Sequence, residues 1–201
     1  MKKLLNILMA GMVFVLVLGM YVYAIQFTDL PSDHWAYEYI TTLVDAGVIN
    51  GYDDGTYKPS GTIKRSEFLK LIVTSCIPSD INLSEMPTEM QHWAAGYVAF
   101  AEQSDLIPEN TITIENIDEP ITRIEMVRII SNADIIIKGS EQQFEKRAIF
   151  KDIAKLNTES LMLLRHAVSR GFITGYEDGS FGPDRTMTRA EAATIIYRFT
   201  R

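Results

Sequence analysis

Two kinds of apolar stretch alternate along the chain. One follows a His-Trp-Ala triplet, where Ala36, Ile40, Leu43 and Val44 stand at i, i+4, i+7 and i+8, the spacing of one helix face. The other recurs with unchanged spacing as Phe68, Leu71 and Ile72, as Met126, Ile129 and Ile130, and as Ala192, Ile195 and Ile196. Polar punctuation separates the two kinds. Tyr52-Asp53-Asp54-Gly55 is a turn signal, since Asp can bond its own backbone and Gly accepts positive φ. Gly47 and Gly51 are expected to close the preceding helix, glycine being the residue that enters the left-handed region most cheaply. Thr122-x-x-Glu125 and Thr188-x-x-Glu191 predict capping boxes at the start of the second helix type. Lys64 holds the threonine position in the first copy, so that cap is expected to be absent.

The same order of elements returns along the chain. Residues 47–67 and 171–191 are identical at 10 of 21 positions at an offset of 124. A middle copy lies at an offset of 58: His34-Trp35-Ala36 returns as His92-Trp93-Ala94, and Ile63, Arg65 and Glu67 return as Ile121, Arg123 and Glu125. Such a period means one helix-loop-helix unit used three times, each too small to bury a core alone. The expected divisions are residues 25–80, 81–140 (the divergent copy) and 141–201. The stretches Ile77 to Pro87 and Lys138 to Arg147 are expected as connectors.

The segment before the first copy has a different character. Met1-Lys2-Lys3 precedes an apolar run from Leu4 to about Val22, and Val22-Tyr23-Ala24 supplies small residues at −3 and −1 of a signal-peptidase site. Residues 1–24 are therefore expected to be an export signal; left uncleaved, they would be a membrane anchor. The chain carries 26 acids and 19 bases. Without Lys2 and Lys3 the balance is 17 bases against 26 acids, a net charge of −9. This acidic balance argues against nucleic acid as a partner.

The single cysteine, Cys76, excludes an internal disulfide and reads as a small buried residue. His34 and His92 read as helix caps, with no third ligand at metal spacing. A calcium loop fails twice. With Gly55 at its sixth position, Asn50, Tyr52 and Gly61 fall where ligands belong; in the other copy Thr174 and Arg185 do. No carboxylate pair stands apart from turn and cap duty, so no enzyme, cofactor or metal is expected.

The order Phe27-x-Asp29, His34-Trp35-Ala36, Gly47 through Pro59 and Ile63 through Glu67 resembles the S-layer homology (SLH) repeat. The third copy is similar, with Phe150-x-Asp152, Gly171 through Pro183 and Met187 through Glu191. This resemblance covers essentially the whole chain after residue 24. It implies an all-α fold of three SLH repeats in a pseudo-threefold, three-pronged arrangement. It also implies inter-repeat grooves that bind a secondary cell-wall polymer, often through a pyruvylated sugar, and so tether the protein non-covalently to the wall.

The residues fit that implication. Arg65, Arg123 and Arg189 each follow the capping position, where free amides and the helix dipole favour an anion and a guanidinium can clasp a carboxylate with two bonds. The plainer alternative is that each arginine only pairs with a nearby Asp or Glu. Asp54-Gly55 and Asp178-Gly179 are expected to shape the grooves, or simply to turn the chain. Trp35 and Trp93 are candidates to stack on a sugar, core packing being the more ordinary reading.

Three departures set limits. The second copy carries Pro108-Glu109-Asn110 and Ile112-Thr113 in place of the Gly-Tyr-x-Asp-Gly loop. Glu159 replaces the third tryptophan, and Lys64 replaces a capping threonine. The expected role is a non-catalytic exported wall anchor, with a protein-interaction module of the envelope as the alternative and a separate surface protein as a further partner. A charge reversal at Arg189 is expected to abolish glycan binding with folding largely intact.

Overall fold

The structure is a computed structural model that describes residues 27–77, 81–142, 144 and 149–201; the export-signal expectation for residues 1–24 lies outside these. The described residues form six α-helices and no strand: α1 (Tyr37–Asp45), α2 (Arg65–Cys76), α3 (Ala95–Gln103), α4 (Arg123–Asn132), α5 (Thr158–Ser169) and α6 (Arg189–Phe199). A short 3-10 turn, Leu83–Glu85, precedes α3, and α4 runs on into a π-helical turn, Ala133–Ile137. Among the described residues no helix is long and apolar enough to cross a membrane.

The caps explain where the helices begin. The Thr122 and Thr188 hydroxyls accept from the Glu125 and Glu191 amides, and the two glutamates reach back to the threonine amides at 2.9 Å. At α2 half of this device survives. Glu67 Oε2 accepts from the Lys64 amide at 2.9 Å, while an ammonium has no lone pair to offer the first turn. His34 and His92 act as expected, each Nδ1 accepting an amide two residues on, from Ala36 and Ala94, at 3.1 Å.

The predicted apolar faces are buried, with Leu71 alone only partly covered. Their partners, however, are not the ones chain order suggests. The second helix of each unit packs on the first helix of the next: α2 on α3, α4 on α5, and α6 back on α1. At the centre, three short extended segments close a ring of backbone hydrogen bonds. Ile63 N–H donates to Met187 O, Met187 to Ile121 O and Ile121 to Ile63 O, at 3.0–3.1 Å. All three side chains are at most 1% exposed, so the hydrogen bonds are made in a dry core where breaking them is costly.

The loops are strapped to this core by the first residues of their units. Both Asp29 oxygens accept backbone amides, of Tyr57 and Lys58, at 2.8 Å; Asp152 does the same for Phe181 and Gly182. Phe27 and Phe150 lie so close to Gly51 and Gly175 that a Cβ there would fall 2.2 and 2.3 Å from a ring carbon. Gly51 thus serves close approach rather than helix closure, which falls to Gly47 at φ 70°.

Candidate functional site

Each second helix opens with an arginine that leaves its own unit. Arg189 on α6 reaches the first unit's loop. Its Nε donates to Tyr57 O at 2.8 Å, Nη1 to Glu67 Oε1 at 3.2 Å and Nη2 to Asn50 O at 3.4 Å. Arg65 on α2 reaches the second unit. It clasps Glu125 Oε1 through Nη2 at 2.8 Å and Nε at 3.3 Å, and it donates from Nη1 to Asn116 O and Glu119 Oε2. Arg123 on α4 reaches the third unit, donating from Nε to Phe181 O at 2.8 Å and from Nη2 to Thr174 O at 2.9 Å.

These arginines sit in three depressions, the first and third built from all three units and the second from two. The first, about 190 Å³, is bounded by the loop at Asn50–Tyr52, by Glu67 and Lys70 on α2, by Trp93 and by Arg189. The third, about 160 Å³, has the loop at Thr174–Tyr176, Glu191 and Arg198 on α6, Trp35 and Arg123. The second is narrower, about 30 Å³, and is lined by Pro108, Ile112 and Arg65 itself. Its tryptophan position holds Glu159, which pairs with Arg128 at 3.6 Å.

Core packing was the ordinary expectation for the tryptophans, and here it is corrected. Trp35 and Trp93 are 59% and 56% exposed at the mouths of the third and first grooves. Each follows its capping histidine, which fixes the backbone and turns the indole outward; His34 stacks beside Trp35 at 5.6 Å. Asp54 and Asp178 instead build turns. Asp178 Oδ1 accepts the Ser180 amide at 2.9 Å and its hydroxyl at 2.6 Å, and Asp54 serves Thr56 in the same way. Gly55 and Gly179 supply the positive φ these turns need, 77° and 80°. These four residues lie off the groove lining and hold Tyr52 and Tyr176, which form it. The Ser180 hydroxyl, then its amide and Lys151, hold the Asp178 carboxyl down at about 2.

The electrostatics of the three arginines differ. Around Arg65, the hydrogen bonds and charges of Glu125 and Glu119 outweigh burial and raise its pKa further. Arg123 is 5% exposed, and no carboxylate among the described residues is within ion-pair distance of it. Burial lowers its pKa, against the partial help of Tyr176 and Glu191. Its guanidinium lies 4.5 Å from the Tyr176 ring centre and 5.1 Å from that of Phe181. Groove residues that the sequence reading missed are Tyr52, Tyr176, Glu67, Lys70 and Arg198. The signal for the tyrosines was their identity at the offset of 124. Lys70 and Arg198 carried none.

Comparison with known proteins agrees with this architecture. The family model of the S-layer homology domain matches residues 26–69 and 166–193, the first and third units. An S-layer protein of Bacillus thuringiensis subsp. finitimus is 28% identical over 179 residues, covering 85% of this chain and 21% of that protein. A cellulosome-anchoring protein of Acetivibrio thermocellus is 28% identical over 166 residues, 76% of this chain and 35% of its own length. Exoglucanase XynX of the same organism is 26% identical over 176 residues, 87% of this chain but 16% of the enzyme. The chain thus spans about a third or less of these relatives. Two segments of the chain match the S-layer homology domain, and its relatives include an S-layer protein and a cellulosome-anchoring protein.

Proposed function

We propose that the chain is a non-catalytic module that holds to the wall by binding an anionic, pyruvylated secondary cell-wall polymer in its first and third grooves. The observation that carries this reading is Arg123, a buried guanidinium beside an open groove with no carboxylate among the described residues within ion-pair distance. A ligand carboxylate would supply a full negative charge to N–H groups that the protein leaves unengaged. Arg189 would present its remaining donors to the first groove in the same way, with Lys70 at the rim.

Trp35 and Trp93 stand where an indole can cover a sugar face, and Tyr52 and Tyr176 form the opposite wall. The three-pronged arrangement, with units at 25–80, 81–140 and 141–201, belongs to this proposal. So does the N-terminal export signal.

Co-sedimentation of the chain with cell-wall sacculi, before and after acid extraction of their attached polymers, tests it. Binding that disappears with the polymer is the expected result. Absence of binding to either preparation overturns the anchor and favours a protein partner in the envelope.

A further inference from the structure

One backbone position faces the bridging arginine in all three junctions. Gly61 O accepts the Arg189 amide at 2.8 Å, Glu119 O the Arg65 amide at 3.0 Å, and Arg185 O the Arg123 amide at 2.9 Å. The backbone is the same each time, and the side chain changes from none, to a carboxylate, to a guanidinium.

The consequences track the charge. At Gly61 a Cβ would lie 3.2 Å from Lys58 O and 4.0 Å from Arg189 Cδ, so a side chain there is close-packed at its base and starts beside the guanidinium arm. In the first groove that place is empty. In the third, Arg185 lies 4.3 Å from the centre of the same Tyr176 ring that Arg123 contacts, adding positive charge. In the second, Glu119 Oε2 sits 3.2 Å from Arg65 Nη1. Four of the five N–H donors of Arg65 are then engaged, two by Glu125 and one each by Asn116 O and Glu119, against three for Arg189. Glu119 is otherwise 65% exposed and held by no other side chain among the described residues.

We infer that Glu119 is an internal pseudo-ligand that closes the second groove to anions. The residue at this position sets how much of the bridging arginine's charge stays free for the wall polymer. This deepens the wall-anchor reading and rests on it.

The test is calorimetric titration of the full chain with a 4,6-pyruvylated methyl hexosaminide, reading the number of sites. The unaltered chain is expected to bind two. Because the second groove holds only about 30 Å³, Glu119→Gly is titrated with free pyruvate and is expected to bind one more anion than the unaltered chain; an unchanged count would overturn the inference while leaving the wall anchor standing. Transplanting the device supplies a second arm that does not depend on the size of the second groove. Gly61→Glu is expected to reduce the count to one, while the neutral Gly61→Gln keeps two. Equal loss in both variants would mean bulk rather than charge and would overturn it. An unaltered chain with no affinity for the sugar would bring down the anchor reading and the inference together.

Discussion

Replacing Arg189 by leucine separates the two roles a groove arginine can have. The sequence pattern alone makes Arg189 a ligand contact whose loss spares the fold, whereas the geometry makes it also the clasp between the last unit and the first. The Nε bond to Tyr57 O, 2.8 Å and largely buried, is a charged hydrogen bond contributing about 2 kcal/mol. The partly exposed pair with Glu67 adds up to about 1 kcal/mol. Contact with the Tyr52 and Tyr57 rings, 4.7 and 4.8 Å away, adds about another 1 kcal/mol. The bond to Asn50, at 3.4 Å, is long and adds little. The sum is a loss of about 3–4 kcal/mol. With a urea slope of about 2 kcal/mol per molar, the midpoint should fall by about 1.5–2 M. Urea unfolding followed by circular dichroism measures this directly. A shift below about 0.5 M with wall binding abolished would refute the clasp and return Arg189 to the ligand alone.

Trp35→Ala and Trp93→Ala should each cost less than about 1 kcal/mol of stability, because the indoles are more than half exposed, yet each should weaken polymer binding about tenfold. Parallel unfolding and co-sedimentation assays check the split. Asp178 has its pKa depressed to about 2, so its contribution is complete above the unfolded carboxylate range and is lost as pH falls from about 4 to about 2. Faster amide exchange at Gly179 and Ser180 across that window is the expected signature. Tyr57 is buried, and burial pushes its hydroxyl up to about 12. A raised pKa means stability complete below about pH 10 and lost as pH rises toward 12, about 3 kcal/mol in all. Tyr57→Phe, which copies Phe181 of the third unit, should remove that alkaline loss in denaturant titrations.

What could be read from the chain was whatever a unit settles locally. The Thr-x-x-Glu boxes, the histidine caps and the Asp-Gly turns depend on neighbours within three or four residues, and each forms where its spacing placed it. Helix faces such as Met126, Ile129 and Ile130 were legible because burial imposes the period whatever lies opposite. The identity of the opposite surface was not legible. A periodic face says that α2 must be covered, not that α3 of the next unit covers it. The tryptophans show the same limit. An indole's size argues for burial, but Trp35 and Trp93 stand more than half exposed at groove mouths formed by other units. Glu119 could not be recognised either, since its effect depends on Arg65, 54 positions away.

Cross-unit pairing bears on why the units come as a set. The first groove takes its loop from one unit, Trp93 from the second and Arg189 from the third; the third groove takes its loop from the third, Trp35 from the first and Arg123 from the second. Neither open groove exists within one unit or within any two, so excision of a unit removes both sites rather than a share of them. The second unit carries the mark of this sharing in its own residues. Its own groove is without the glycine-rich loop and narrows to about 30 Å³, yet it supplies Arg123 and Trp93 to the grooves of its neighbours. Selection on binding would act on a unit through what it donates. A copy whose own groove is closed therefore still has its arginine, its tryptophan and its place in the Ile63–Ile121–Met187 ring to maintain.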